Sequence, residues 1–162
     1  GRDPFCWNFV CRDFKVLDLD IPDEMFPSNS DIHPLDHSRA LEFILEGGAK
    51  AVYWDYLDGI AVYVIERHPF SLMARGRFDT AREIDGTNYR EGVVLNINSS
   101  GNLFFSGCGV SDMVGGYRCF YKAVYEEYYV SFVSIIDENM TYEDFETIVS
   151  FIDKQISAKL SD

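Results

Sequence analysis

Apolar positions along the chain switch between two periods, and the switches mark the elements. PFCWNFVCRDFKVLDLDIPDEMFP carries Phe5, Trp7 and Phe9 in alternation, then Phe14, Val16 and the Leu17/Leu19/Ile21 series, which predicts an ordered start and a strand over Phe14 to Leu19. Residues Pro27 to Pro34 (PSNSDIHP) are polar turn formers and predict a loop. SRALEFILEGG sets Ala40, Leu41, Ile44 and Leu45 on one face and ends on Gly47 and Gly48, the pattern of a short helix with a left-handed terminator. AVYWDYLDGIAVYVIER is then two β-rich runs meeting at Asp58-Gly59, a dipeptide suited to a type I′ turn, and predicts a hairpin.

From Phe70 to Arg90 the pattern is mixed and rich in arginine, with SLMARGRFDTAREI helical in part despite Gly76. VVLNI and NLFFSG flank Asn98 to Asn102 as a second hairpin, and RCFYKAVYEE with YYVSFVSII forms a third pair of strands. The clearest element is MTYEDFETIVSFIDKQI. Thr141 caps a helix, Asp144 completes a capping box, and Met140 packs on Phe145 as a hydrophobic staple. Phe145, Ile148, Val149, Ile152 and Ile156 make one apolar stripe. Hairpins with one short internal and one terminal amphipathic helix predict an α+β fold, a largely antiparallel sheet covered by helices. Length fits one domain over residues 1–162, and no internal repeat or low-complexity tract divides it.

Charge narrows the partners. Twenty-seven acidic residues against 14 basic ones leave a net charge of −13, which opposes nucleic-acid phosphates and anionic membranes and suits a basic protein partner. The cationic exceptions cluster at Arg67, Arg75, Arg77, Arg82 and Arg90. The longest apolar run, Ala51 to Ile65, is broken by Asp55, Asp58 and Gly59, so no segment spans a bilayer and the chain is expected to be soluble. GRDP at Gly1 lacks a methionine and reads as a vector remnant or a trimmed start, the latter placing a signal peptide or lipoprotein leader upstream.

Four cysteines stand in two close pairs, Cys6 with Cys11 and Cys108 with Cys119. The even count favours disulfides in an oxidising compartment, three connectivities being open, over free buried thiols. Neither spacing is the CxxC of a zinc or redox site. In SGCGVSDMVGGYRCFY a bridge between Cys108 and Cys119 would pre-order Val110, Asp112, Met113, Val114 and Tyr117 for contact with a partner. Strand alternation is expected to send half of Tyr117, Phe120, Tyr121, Tyr125, Tyr128 and Tyr129 outward, beside Glu126 and Glu127, as a protein-binding surface.

Candidate chemistry is sparse. His33 and His37 with Asp31 and Asp36 suggest a metal cluster, but Pro34 breaks the helical turn that would align them, and a solvated loop accounts for them. His68 could serve Cys108 as a base; two cysteines in a glycine-rich stretch favour a staple instead. Glu126 and Glu127 read as a charged hairpin end rather than an acid/base pair. No cofactor or metal is expected, and GxSxG, HExxH, P-loop and GxGxxG motifs are lacking.

The opening PFCWNFVCRDFKVLDLDIPDEMFP and the closing CFYKAVYEEYYVSFVSIIDENMTYEDFETIVSFIDKQI together resemble small bacterial envelope lipoproteins of the type VI secretion immunity kind, notably those that block lipases. That resemblance implies residence in the periplasm, membrane association only through a lipid anchor upstream, and neutralisation of a toxin by direct binding. The order of strands and terminal helix also resembles the PsbP-like α/β/α sandwich, which speaks to fold and not to function. The expectation is a non-enzymatic, exported protein that binds and neutralises another protein. The alternatives are a small hydrolase using His68 or the His33/His37 loop, and a small-ligand carrier.

Overall fold

The computed structural model describes residues 3–37, 43–90, 95–111 and 115–161. A seven-stranded sheet, every neighbouring pair antiparallel, runs in the order β1-β2-β3-β7-β6-β5-β4. Its strands are β1 (Asp31–His37), β2 (Glu46–Trp54), β3 (Gly59–Arg67), β4 (Tyr89–Arg90), β5 (Leu103–Ser111), β6 (Tyr117–Tyr125) and β7 (Tyr128–Ile135). Helix α1 (Ser71–Asn88) follows β3, and α2 (Tyr142–Ser161) follows β7. The expected α+β class and antiparallel sheet are therefore present, as are the β2–β3 and β6–β7 hairpins.

The pleat sends alternate residues to opposite faces, and both faces are covered. On one, Tyr63, Ile65, Val130, Phe132, Tyr121 and Ala123 pack under α2, whose buried stripe is Phe145, Ile148, Val149, Ile152 and Ile156. The capping box forms as expected: the Asp144 N–H donates to Thr141 Oγ1 at 3.2 Å, and the Thr141 N–H donates to Asp144 Oδ2 at 3.0 Å. On the other face α1 sets Ala74, Phe78 and Ala81 against Val124 and Tyr129, a thin seam supplemented by Arg77 over the Tyr129 ring. This second layer corrects the expectation of outward tyrosines. Tyr121, Tyr128 and Tyr129 are fully buried, Phe120 and Tyr125 nearly so, and only Tyr117 is partly open.

Several local expectations fail. Phe14 to Leu19 is not a strand; Val16–Leu19 forms a 3-10 turn that buries Phe14, Val16, Leu19 and Ile21 beside α2, with Lys50 of β2 reaching up to Asp20, Asp23 and the Ile21 carbonyl. The loop predicted over Pro27 to Pro34 forms in its first half, a turn over 27–30, while residues 31–34 belong to β1, where an edge position and a register shift between His33 and Asp36 tolerate the proline. Of the predicted helix before Gly47, residues 38–42 lie outside the described ones, and Glu46, Gly47 and Gly48 open β2. Glycine at 48 answers close packing, since a Cβ there would stand 2.9 Å from Leu35 Cδ1 and 3.2 Å from Val16 Cγ1. The second hairpin fails as well. Residues 95–100 are irregular, residues 93 and 94 lie outside the described ones, and NLFFSG pairs with β6 instead. Asp153 of α2 holds that irregular stretch by accepting from the Ser100 N–H at 2.8 Å and from Tyr125 Oη at 2.7 Å.

Candidate partner-binding surface

Two disulfides form, Cys6–Cys11 and Cys108–Cys119, and no described cysteine is free. They suggest an oxidising, exported environment. Cys108 and Cys119 stand directly opposite each other on β5 and β6, so the bridge is a rung between strands rather than a staple around a loop. Both sulfurs face the α2 side and are buried. The pair two residues outward is Val110 with Tyr117, beyond which Gly115 and Gly116 turn at φ of 71° and 76°. Asp112, Met113 and Val114 lie outside the described residues.

Antiparallel register places three connections at this same end of the sheet: the β5–β6 turn, the β2–β3 turn and the β7–α2 link. They are tied to one another. Trp54 Nε1 donates to Asp137 Oδ2 at 2.9 Å, and Asp137 Oδ1 accepts from the N–H groups of Asn139 and Met140. Tyr142 Oη donates to Tyr117 Oη at 2.6 Å with the rings edge to face, and the Ile136 N–H donates to the Tyr117 carbonyl. Burial pushes the Tyr117 hydroxyl up to about 12, and the Tyr142 contact adds to it. Val110 is about half exposed and Tyr142 more than a third. Asp55, Asp58, Glu138 and Glu143 stand exposed here, with Arg118 the described counter-charge among these turns.

Glu126 and Glu127, predicted for the same surface, lie at the other end of β6. The distance between the two ends of that strand is about 27 Å at ~3.4 Å per residue. There they form the two-residue turn into β7, and both bind the Arg12 guanidinium. Glu127 is buried and also accepts from Arg67 at 3.4 Å, so its charge is spent inside the molecule. Arg67, 1% exposed, further donates two hydrogen bonds to Asp3 and one to the Val10 carbonyl, between the Phe5 and Tyr128 rings. This ion cluster locks the Cys6–Cys11 knot onto the sheet. A cleft of about 370 Å³ beside it is lined by Phe5, Arg12, Phe14 and Glu46. A second of about 720 Å³, between Phe9, Phe70 and Arg75, reaches Glu126.

The candidate catalytic groups do not converge. Cys108 is disulfide-bonded on the α2 side near one end of the sheet, whereas His68 follows β3 at the other end. His33 is exposed with Nε2 at 3.3 Å from Asp31, and among the described residues no three His, Cys, Asp or Glu side chains meet as a metal site. Sequence reading overlooked a polar seam beneath α1, in which Lys122 Nζ donates to Ser131 Oγ at 2.6 Å and His68 Nε2 stands 3.8 Å from Glu66. Neither cleft is lined by these four residues. Burial drives the Lys122 ammonium downward, with Asp85 opposing it. Set against known proteins, the sequence matches no family model and no curated protein.

Proposed function

We propose that the protein is exported, acts without catalysis, and binds and neutralises another protein, in the manner of a periplasmic immunity protein facing a secreted toxin or lipase. The observation that carries this reading is the tied loop end: a disulfide rung, three connections braced by described contacts, half-exposed Val110 beside partly exposed Tyr142, and an acidic surround. Strand ends held by a disulfide rung and by side-chain hydrogen bonds have less freedom to lose on association, which keeps its entropy cost low. The net charge of −13 steers a basic partner and discourages nucleic acid. The residues with catalytic character support a structural role instead, since Lys122 with Asp85 and Glu66 with Arg77 pin α1 to the sheet.

Co-purification from the native envelope tests the proposal. A single basic protein is expected, bound at submicromolar Kd, with association slowing as added salt shortens the Debye length below ~10 Å. Turnover of a small substrate, abolished by His68→Ala and indifferent to Val110→Asp, would replace this reading with the hydrolase.

A further inference from the structure

The β2–β3 connection is built unlike an ordinary hairpin. Its turn spans Asp55 to Asp58 rather than centring on Asp58-Gly59, and Asp55, Tyr56 and Leu57 all take left-handed backbone, at φ of 52°, 51° and 76°. L-residues with side chains avoid this region because Cβ crowds the following carbonyl, and Asn or Gly fills it more readily. Packing among the described residues does not compensate, since Tyr56 is 99% exposed and Leu57 69%. Two large apolar side chains thus stand in water on strained backbone, with exposed aspartates on either side. The base of the turn is nonetheless rigid: the Asp58 N–H donates to the Asp55 carbonyl at 3.0 Å, and Trp54 lies over Gly59, where a Cβ would come within 2.0 Å of the indole.

We propose that this tip is the anchor of the interface, Tyr56 and Leu57 entering an apolar socket on the partner protein whose rim carries Lys or Arg to pair with Asp55 and Asp58. The inference rests on the partner-binding reading above and names the part of the surface that carries it. Strain held at an exposed position is repaid where the side chains become buried, and an aromatic beside an aliphatic at the centre of a contact has the composition of a binding hot spot. The flanking carboxylates select a cationic rim by charge complementarity and penalise an acidic one.

The test uses the full chain and the protein that co-purifies with it. Tyr56→Asn combined with Leu57→Gly suits left-handed backbone, so this variant is expected to fold with a raised Tm while its affinity falls on the order of 30-fold or more. Replacing Tyr56 by photoreactive p-benzoylphenylalanine is expected to cross-link the partner within an apolar pocket bordered by Lys or Arg; the same probe at exposed Leu72 of α1 is expected to give no adduct. Unchanged affinity of the double variant, or adducts from position 72 and none from 56, overturns the anchor and leaves the partner-binding reading standing. Failure of the wild-type chain to retain any partner overturns both.

Discussion

Single residues carry most of the constraint at the loop end. Gly59 is required by contact rather than by its φ, because Trp54 occupies the space where any side chain would begin. Gly59→Ala is therefore expected to cost on the order of 2–3 kcal/mol, lowering Tm by roughly 5–10 °C in a thermal melt. At the opposite end Arg67 neutralises Asp3 and Glu127 out of reach of water. Arg67→Met leaves Asp3 with backbone N–H donors but no described counter-charge, and Glu127 with Arg12 as its remaining described one, and about 3 kcal/mol of stability is expected to disappear in urea unfolding. Asp3 gives this cluster a pH signature. Burial raises the Asp3 pKa, but hydrogen bonds from Arg67 and from the Phe5 and Arg12 N–H groups outweigh it and hold the group below its ordinary value. A depressed carboxylate contributes stability above its unfolded pKa and loses it as pH falls through the folded value. Melts of the wild type are thus expected to weaken below about pH 4, and Asp3→Asn to flatten that decline while lowering Tm at pH 7.

Elements were legible where local chemistry alone decides them. The capping box and stripe of α2 need only their own 20 residues, and they form as read. The reading failed where one pattern serves two structures. Alternating Leu17, Leu19 and Ile21 suits a strand, yet with no strand pairing to it the segment folds into a 3-10 turn that buries Leu19 and Ile21. Gly47-Gly48 suits a helix terminator, yet it opens β2, where Leu35 and Val16 crowd Gly48. The β5–β6 hairpin was visible only as a loop because the pairing of Cys108 with Cys119 is set by register, which sequence spacing does not contain. Removing that rung with Cys108→Ser and Cys119→Ser releases a loop of about ten residues in the unfolded chain and is expected to cost roughly 2–3 kcal/mol. An equal melting temperature with and without the bridge would show that the ladder alone holds the hairpin.

At the scale of the molecule, the surface was harder to read than the fold. Whether a strand's second face meets water depends on a distant element, and α1 announces itself poorly, Ala74, Phe78 and Ala81 alone being buried among its described side chains. Six aromatic positions that read as a half-exposed surface thus became mostly core, while Tyr56 and Leu57, read as part of a strand hairpin, became the most exposed apolar side chains among the described residues of the loop end. Of the predicted contact residues, Val110 and Tyr117 share an end with that tip, and Glu126 and Glu127 do not. The two ends differ in character, one acidic with apolar tips, the other a disulfide knot locked by ion pairs. Hydrogen–deuterium exchange of the intact chain, free and bound to its co-purified partner, separates them most directly. The account predicts slowed exchange over Trp54–Gly59, Val110–Tyr117 and Asp137–Tyr142 on binding, with Asp3–Arg12 and Glu126–Glu127 unchanged. Protection confined to the knot end, with the loop end exchanging as in the free protein, would contradict it.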